Sequence, residues 1–458
     1  MRTEQDNLGE KQLDTTCLYG IHTARALDNF GPQSDETHDA IISALCDVKL
    51  AAAETNCRLG YISAEVNAAL KQAGEEVAAK AHRDHFPLSW YQGGAGTSLN
   101  MNINEVLANR GLEILGYSPG DYDHLDPLEV VNLHQSTNDV FPTAVKIALI
   151  RKLRTLSRTV ATLQEALQKK EHEYARVITM GRTQMQDAVP ITVGAQFASF
   201  AAAIERDRWR CFKAEERIRL VNIGGTAVGT GVTAPRKYIY TVLDILKNTT
   251  GLPLARGQFL PDTTANHDSF AEVAAVFSAQ AANILKICRD LRFLHYEKEI
   301  TLAPMQAGSS IMPGKINPVL LEAAMNAALQ VQAHASLVGN AVSLGSLQIN
   351  EFLPLFGFRA IESAILLTAA ADWLKTAVET LSVNEDVCRR KWEDSPRLIT
   401  AFVSYLGYKK CEEIVTDYDG KKSFKEYLIS ILGDNMVERC LTPEALMSLG
   451  DIAEDTWE

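Results

Sequence analysis

The sequence predicts an all-α protein of three domains, built around a central bundle of long helices. Three observations carry this. Five segments near or beyond 25 residues repeat apolar positions at helical spacing. Between them lie short clusters of Gly, Pro, Ser, Asp and Thr at the expected helix ends. A chain of 458 residues, with 46% hydrophobic and 22% charged residues but only 15 prolines and 28 glycines, is long enough for several cores and too apolar for disorder.

Residues 1–134 have an irregular start and shorter helical runs, and read as an N-terminal, mainly helical domain. From Ala144 to about Arg176, Val145, Leu149, Leu153, Leu156, Val160, Leu163 and Leu167 form one stripe, with no proline inside it. Val193 to about Leu220, Ser269 to about Glu297, Asn317 to about Val342 and Phe356 to about Leu381 are the other four long helices. Helices of this length need a bundle to bury their stripes, so residues 135–383 read as a central long-helix domain. After Leu381 the periodicity shortens and charge rises, from Asn384-Glu385-Asp386 onward. Residues 384–458 therefore read as a small C-terminal helical domain.

The balance of 45 basic against 57 acidic residues gives a net charge of −12, and no block of Lys and Arg stands out. Nucleic-acid binding by counterion release is thereby disfavoured. The eight cysteines are widely spaced without a CxxC pair, which reads as reduced thiols. The polar, acidic N-terminus lacks the pattern of a signal peptide, and no uncharged apolar run reaches 18 residues, so the expectation is a cytoplasmic protein with no membrane partner.

Four segments share hydroxyls, amides and glycines: Gly93 to Ser98, Gln135 to Asp139, Gly181 to Gln184, and Gly308 to Pro318. Each precedes a predicted helix, where free N–H groups and the helix dipole favour an anion. One such segment alone reads as a helix cap, since Ser, Thr and Asn are preferred there. The stretch 308–318 goes further, combining two hydroxyls, two prolines, a lysine and an amide, as a loop that closes over a ligand does. Other chemistry finds no footing. Lys315 is outside any P-loop motif, Gly224 to Gly231 lacks the spacing of a dinucleotide fingerprint, and His82 and His85 have no third ligand nearby or HExxH motif, so no metal is expected.

The segment Gly308-Ser309-Ser310-Ile311-Met312-Pro313-Gly314-Lys315-Ile316-Asn317, continued to Glu322, resembles the signature of the aspartase/fumarase superfamily and matches all of its fixed positions. The likeness extends through Tyr19 to Thr23 with Arg25, Gln92 to Arg110, Gln135 to Thr143, Gly181 to Pro190 and Gly224 to Gly231. His22-Thr23, Ser136-Thr137-Asn138 and Gly181 to Asp187 are more similar to the ammonia-lyase branch acting on aspartate than to the fumarases. One departure stands out: Leu294 to Ile300 occupies the place of a longer Gly-Pro-Arg-containing segment.

The resemblance implies cofactor-free anti elimination of ammonia from a small dicarboxylate, through an aci-carboxylate intermediate. It makes Ser309 the general base. Thr97, Ser136, Thr137 and the backbone near Ser310 become donors to the aci-carboxylate. Lys315 and Asn317, with Thr183, become the grip on the α-carboxylate, and Asn138 and Gln184 the contacts of the amino group. Arg25, Met312 and Glu322 become support for the loops, with Arg25 and Lys315 adding local positive charge. The resemblance also implies a homotetramer with a twenty-helix core, in which three subunits share each site. Fumarate hydration, release of another amine from a larger substrate, and a purely structural helical assembly are the alternatives.

Overall fold

The computed structural model describes residues 1–32 and 35–448. It is mostly helical, and it adds to the expected helices four two-stranded sheets that the sequence reading did not contain. The chain opens with an antiparallel hairpin, β1 (Arg2–Asp6) and β2 (Gly9–Leu13), in which Arg2 faces Leu13. Helices α1 (Ile21–Phe30), α2 (Glu36–Arg58), α3 (Ala64–Ala78) and α4 (Thr97–Ile114) follow. Next come α5 (Thr137–Glu173), a second hairpin of β3 (Ile178–Thr183) and β4 (Gln186–Thr192), and α6 (Val193–Ile218). Strand β5 (Leu220–Val221), α7 (Arg236–Thr250), β6 (Ala255–Arg256) and α8 (Leu260–Ala265) lead into α9 (Asp268–Tyr296). Strand β7 (Ile300–Thr301), α10 (Val319–Val342), α11 (Leu353–Thr380) and β8 (Ser382–Val383) precede the short helices that begin with α12 (Glu385–Glu393).

The five long helices α5, α6, α9, α10 and α11 lie where the apolar stripes predict them. The largest difference is the start of α5, at Thr137 rather than Ala144. Pro142 reads as a boundary because it has no N–H to give to the carbonyl four residues earlier. That carbonyl belongs to Asn138, and it is satisfied instead by the side-chain amide of Asn222 at 2.9 Å. A tertiary hydrogen bond thus replaces a helical one, and the helix runs through its proline.

The chain packs as two compact units. One comprises Met1–Ser157, Trp209–Ala281 and Leu329–Leu367; the other comprises Arg158–Arg208, Ala282–Ala328 and the described residues from Thr368 onward. Each long helix supplies residues to both. In the first unit the stripe residues Val145, Leu149, Leu153 and Leu156 are buried, as are Phe270 of α9 and Phe356 of α11, whose ring centroids lie 5.2 Å apart. Each such side chain contributes roughly 1.5–3 kcal/mol when fully buried. In the second unit a separate core joins Met180 of β3 to Trp392, Leu398, Phe402, Phe424, Leu428 and Val437 of the C-terminal helices. Helices α9 and α11 are long and apolar enough, by length and composition, to cross a membrane, with 44% and 61% of their most apolar windows buried within the structure.

Candidate active site

Thr97 is the first residue of α4. It follows Gly96, whose φ of 94° is left-handed and whose missing Cβ makes room for Phe141; a methyl there would stand 2.5 Å from the ring. The Thr97 hydroxyl donates back to the Gly94 carbonyl at 2.7 Å. One turn on, Asn100 Nδ2 donates to the Thr137 hydroxyl at 3.1 Å. Two of the four predicted segments therefore meet, with the first turn of α4 against the first turn of α5. Both turns direct the positive ends of their helix dipoles beyond the helix.

Ser136 caps α5. The Asn138 N–H donates to Ser136 Oγ at 3.3 Å, and the Ser136 N–H donates to Asp139 Oδ1 at 3.0 Å, which closes a reciprocal capping box. The second oxygen of Asp139 accepts the N–H groups of Gly224 and Thr226, each at 3.0 Å, and so latches the 224–231 loop to the helix start. Burial pushes the Asp139 carboxyl up to about 6 against the pull of those donors and of Lys49. Asn138 is tied to the same loop, donating from Nδ2 to the Ala227 carbonyl at 2.7 Å.

Behind this segment lies a polar network. Lys49 of α2 is fully buried; it donates to Asn132 Oδ1 at 2.8 Å and Gln135 Oε1 at 2.9 Å. Burial pushes its amine down to about 7, against the favourable charge of Asp139. Asn100 and Asn104 of α4 both donate to the same Asn132 oxygen at 3.2 Å. None of Lys49, Asn100, Asn132, Asp139 and Asn222 was picked out as a site residue from sequence. Asp139 closes the Gln135 to Asp139 segment without having been given a role, and the signal for Lys49 was a single lysine in the mostly apolar run from Ile41 to Ala53.

In the second unit, Thr183 and Gln184 do not form the predicted loop before a helix. They stand at the tip of the β3–β4 hairpin, where Thr183 pairs with Gln186 across a two-residue turn. Gln184 and Met185 hold φ of 53° and 61°, left-handed values that favour Asn-Gly, and all three residues are exposed. Next to the tip, the hairpin is fixed by Arg182, which binds the buried Glu299 and lies 5.5 Å from the Phe293 ring centre. The tip borders a cleft of about 440 Å³, with Phe200, Lys286 and Phe293 on its other walls.

The 308–318 segment is a loop before α10, as predicted, and it closes on itself. The Gly308 N–H donates to the Lys315 carbonyl at 2.8 Å, and Asn317 Nδ2 donates to the Gly308 carbonyl at 2.8 Å. A Cβ on Gly308 would lie 2.6 Å from the Lys315 carbonyl oxygen, so only glycine fits that neck. Ser309 Oγ accepts the N–H groups of Ile311 at 3.2 Å and Met312 at 2.9 Å. Ser310, Ile311, Met312 and Lys315 are exposed, and Lys315 forms no ion pair among the described residues. Glu322, in the first turn of α10, faces Arg292 at 3.7 Å.

Arg25 differs from its expected contribution to a positive pocket. Its guanidinium is bidentate to Asp6 at 2.7 and 2.8 Å and also holds the Gly9 carbonyl, so its charge is spent on the β1–β2 turn. The neighbouring Gly20 to Thr23 stretch is held by buried Glu105, which accepts four hydrogen bonds from the Gly20, His22 and Thr23 N–H groups and the Thr23 hydroxyl. Burial pushes the Glu105 carboxyl up to about 7. Among the described residues, no group of three His, Cys, Asp or Glu side chains is arranged to hold a metal ion.

Residues 9–333 match the Lyase family. The chain is 39% identical, over 91% of its own length and 89% of the relative's, to aspartate ammonia-lyase of Bacillus subtilis (strain 168). Aspartate ammonia-lyase of Pseudomonas aeruginosa is 38% identical, with 90% of this chain and 89% of that protein covered. Among solved structures, fumarate lyase:delta crystallin from Brucella melitensis bound to cobalt superposes with a TM-score of 0.92 at 37% identity, covering 98% of this chain and 100% of that one. The class II fumarase of Schistosoma mansoni gives a TM-score of 0.91 at 28% identity, covering 97% and 99%.

Proposed function

The chain belongs to the aspartase/fumarase superfamily of lyases, and from that premise we propose that it is a carbon–nitrogen lyase of the aspartate ammonia-lyase type, converting L-aspartate to fumarate and ammonia. The proton on Cβ is removed, its electron pair passes into the adjacent carboxylate as a dianionic aci-acid, and collapse of that intermediate breaks the Cα–N bond on the opposite face. The hard step is the first, because a proton beside a carboxylate is very weakly acidic. Preorganised donors around the developing dianion are the largest catalytic contribution.

Ser309 is the base. A free serine is too weak an acid to lose its proton, and the observation that carries this assignment is the pair of backbone N–H groups already aimed at its Oγ. Those donors stabilise an alkoxide there, and the nearby Lys315 charge adds to them. The hydroxyls of Thr97, Ser136 and Thr137, at the adjoining starts of α4 and α5, receive the aci-carboxylate. Lys315 grips the α-carboxylate with Thr183. Asn317 supports that grip mainly by holding the loop neck, since its Nδ2 is already given to Gly308. Asn138 and Gln184 face the amino group, and Met312 and Glu322 shape and anchor the mobile loop.

The protein works as a homotetramer of three-domain chains in the cytosol, with three subunits contributing to each site: one brings Thr97 and Ser136 to Asn138, another Thr183 and Gln184, a third Ser309 to Asn317. The exposure of Thr183, Gln184 and residues 310–316 of the loop in the single chain supports this arrangement. The first test is the absorbance of fumarate formed from L-aspartate and, separately, from malate. Product from aspartate is expected; product from malate alone replaces this reading with a hydratase. The second test mixes chains by co-expression. Thr183→Ala and Ser309→Ala chains, each inactive alone, regain activity in hybrid tetramers because some sites then draw both intact residues from different subunits. Inactive hybrids of verified composition, or an active monomer by light scattering, overturn the shared site.

A further inference from the structure

A fully buried lysine normally has a carboxylate as its hydrogen-bonded partner, because an uncompensated charge in a protein interior is costly. Lys49 spends its hydrogen bonds on two amide oxygens instead, those of Asn132 and Gln135. Asp139, the nearby acid, has its own oxygens turned to the Ser136, Gly224 and Thr226 N–H groups. Because the Lys49 amine donates to both of these oxygens, it fixes which way both amides point. With its oxygen held toward Lys49, Gln135 turns Nε2 to the Val131 and Leu133 carbonyls at 2.9 and 3.2 Å. Asn132 likewise turns Nδ2 to the Gln135 carbonyl at 3.3 Å, while Asn100 and Asn104 converge on its oxygen. Between the two pinned residues sits His134 at a left-handed φ of 64°, a strained position for a non-glycine residue. The chain then runs directly into Ser136, Thr137 and Asn138.

We propose that Lys49 is a positioning residue for the elimination: its amine clamps Asn132 and Gln135, and the clamp holds the left-handed turn that sets Ser136, Thr137 and Asn138 against the first turn of α4. This rests on the reading of those three residues as substrate contacts. Lys49 touches none of the reacting atoms itself. Its effect is transmitted through the amides, so its loss changes the geometry of the donors while leaving every one of them present.

The test compares wild type, Lys49→Met, Gln135→Leu and the double variant, all as full-length chains. Lys49→Met removes a buried charge as well as its bonds and keeps an unbranched side chain, so the fold persists, checked by melting temperature and light scattering. The amides of residues 133–139 are expected to exchange with deuterium about tenfold faster in Lys49→Met, with α9 and the C-terminal helices unchanged. With aspartate, KM is expected to rise about fivefold or more while kcat falls, a split that a mere loss of folded enzyme does not produce. The double variant is expected to be no worse than Lys49→Met alone, since both changes break one clamp. Unchanged exchange over 133–139 in a folded Lys49→Met protein overturns the clamp; altered exchange with unchanged KM and kcat overturns its role in the reaction. A wild type that fails on aspartate overturns the proposed function, and the exchange comparison still decides the clamp.

Discussion

Asp139→Ala isolates the latch between the start of α5 and the 224–231 loop. The carboxylate accepts three backbone N–H groups, from Ser136, Gly224 and Thr226, each at 3.0 Å, and the side chain is completely buried. A buried N–H left without an acceptor costs about 1–3 kcal/mol, so a simple count gives about 3–9 kcal/mol. Part of that is returned, because keeping the carboxylate out of water is itself unfavourable; burial raises its pKa to about 6 despite all three donors. The expected net loss is therefore in the lower half, about 3–5 kcal/mol, a large share of the stability of an ordinary domain. Asp139→Asn keeps one acceptor oxygen and turns an amide nitrogen toward at least one N–H, and is expected to cost about half as much. Urea unfolding followed by circular dichroism, at one fixed protein concentration, reads both. A loss below about 1 kcal/mol for Asp139→Ala, with an unchanged urea dependence, refutes the latch. So does an alanine variant no worse than the asparagine one.

Ser309→Ala is expected to abolish fumarate formation with the melting temperature within about 2 °C of wild type, since Oγ serves only the backbone of its own loop; retained turnover removes Ser309 as the base. Lys315→Ala is expected to raise KM about tenfold or more and to lower kcat, through loss of a charge-assisted contact; an unchanged KM places the α-carboxylate elsewhere. His267 is packed between Phe270 and Phe356, and burial, with Lys146 adding to it, pushes its pKa down to about 3. The depressed value makes the neutral ring a stabilising form above the ordinary pKa near 6.5, and that contribution is lost as pH falls toward 3. Wild-type stability therefore declines by about 1.4 kcal/mol per pH unit more steeply than that of His267→Leu between pH 6 and 4, read by urea midpoints, and parallel pH curves for the two refute the assignment.

The long helices were legible because their stripes persist over many turns, and a repeated pattern survives local exceptions. Val145 to Leu167 announces α5 by itself, whereas the seven residues before Ala144 were hidden by Pro142, whose cost is met by Asn222 from a distant part of the chain. The β3–β4 hairpin was illegible for the converse reason. Gly181 and Pro190 interrupt any strand alternation, and the turn is Gln184-Met185 rather than Asn-Gly, so no local signal was present. The exposed residues of the candidate site were readable as motifs, because hydroxyls, amides and a lysine in Gly- and Pro-rich stretches are unusual in composition. The residues that hold them were not. Lys49 meets Asn132 across 83 positions of sequence, and Asp139 meets Gly224 across 85, so only folding makes those pairs.

That contrast follows from the chemistry the site must perform. Some of the groups proposed to bind substrate keep their donors uncommitted, Lys315 with no ion pair among the described residues and Thr137 accepting from Asn100, whereas Thr97 and Asn138 must exchange a bond to the Gly94 or Ala227 carbonyl for one to substrate. A group left so free cannot also fix its own position, so the constraint moves to its neighbours. Asp139 carries three bonds, Glu105 four, and the Asn132 oxygen three, and each is buried or at the edge of a buried cluster. The same division appears in the 308–318 loop, where Asn317 and Gly308 close the neck and leave Lys315 exposed at the tip. Substitutions in the two classes should therefore separate in their effects. Loss of a free group removes a chemical step with the fold untouched, and loss of a holder loosens a segment, lowering stability and substrate affinity together.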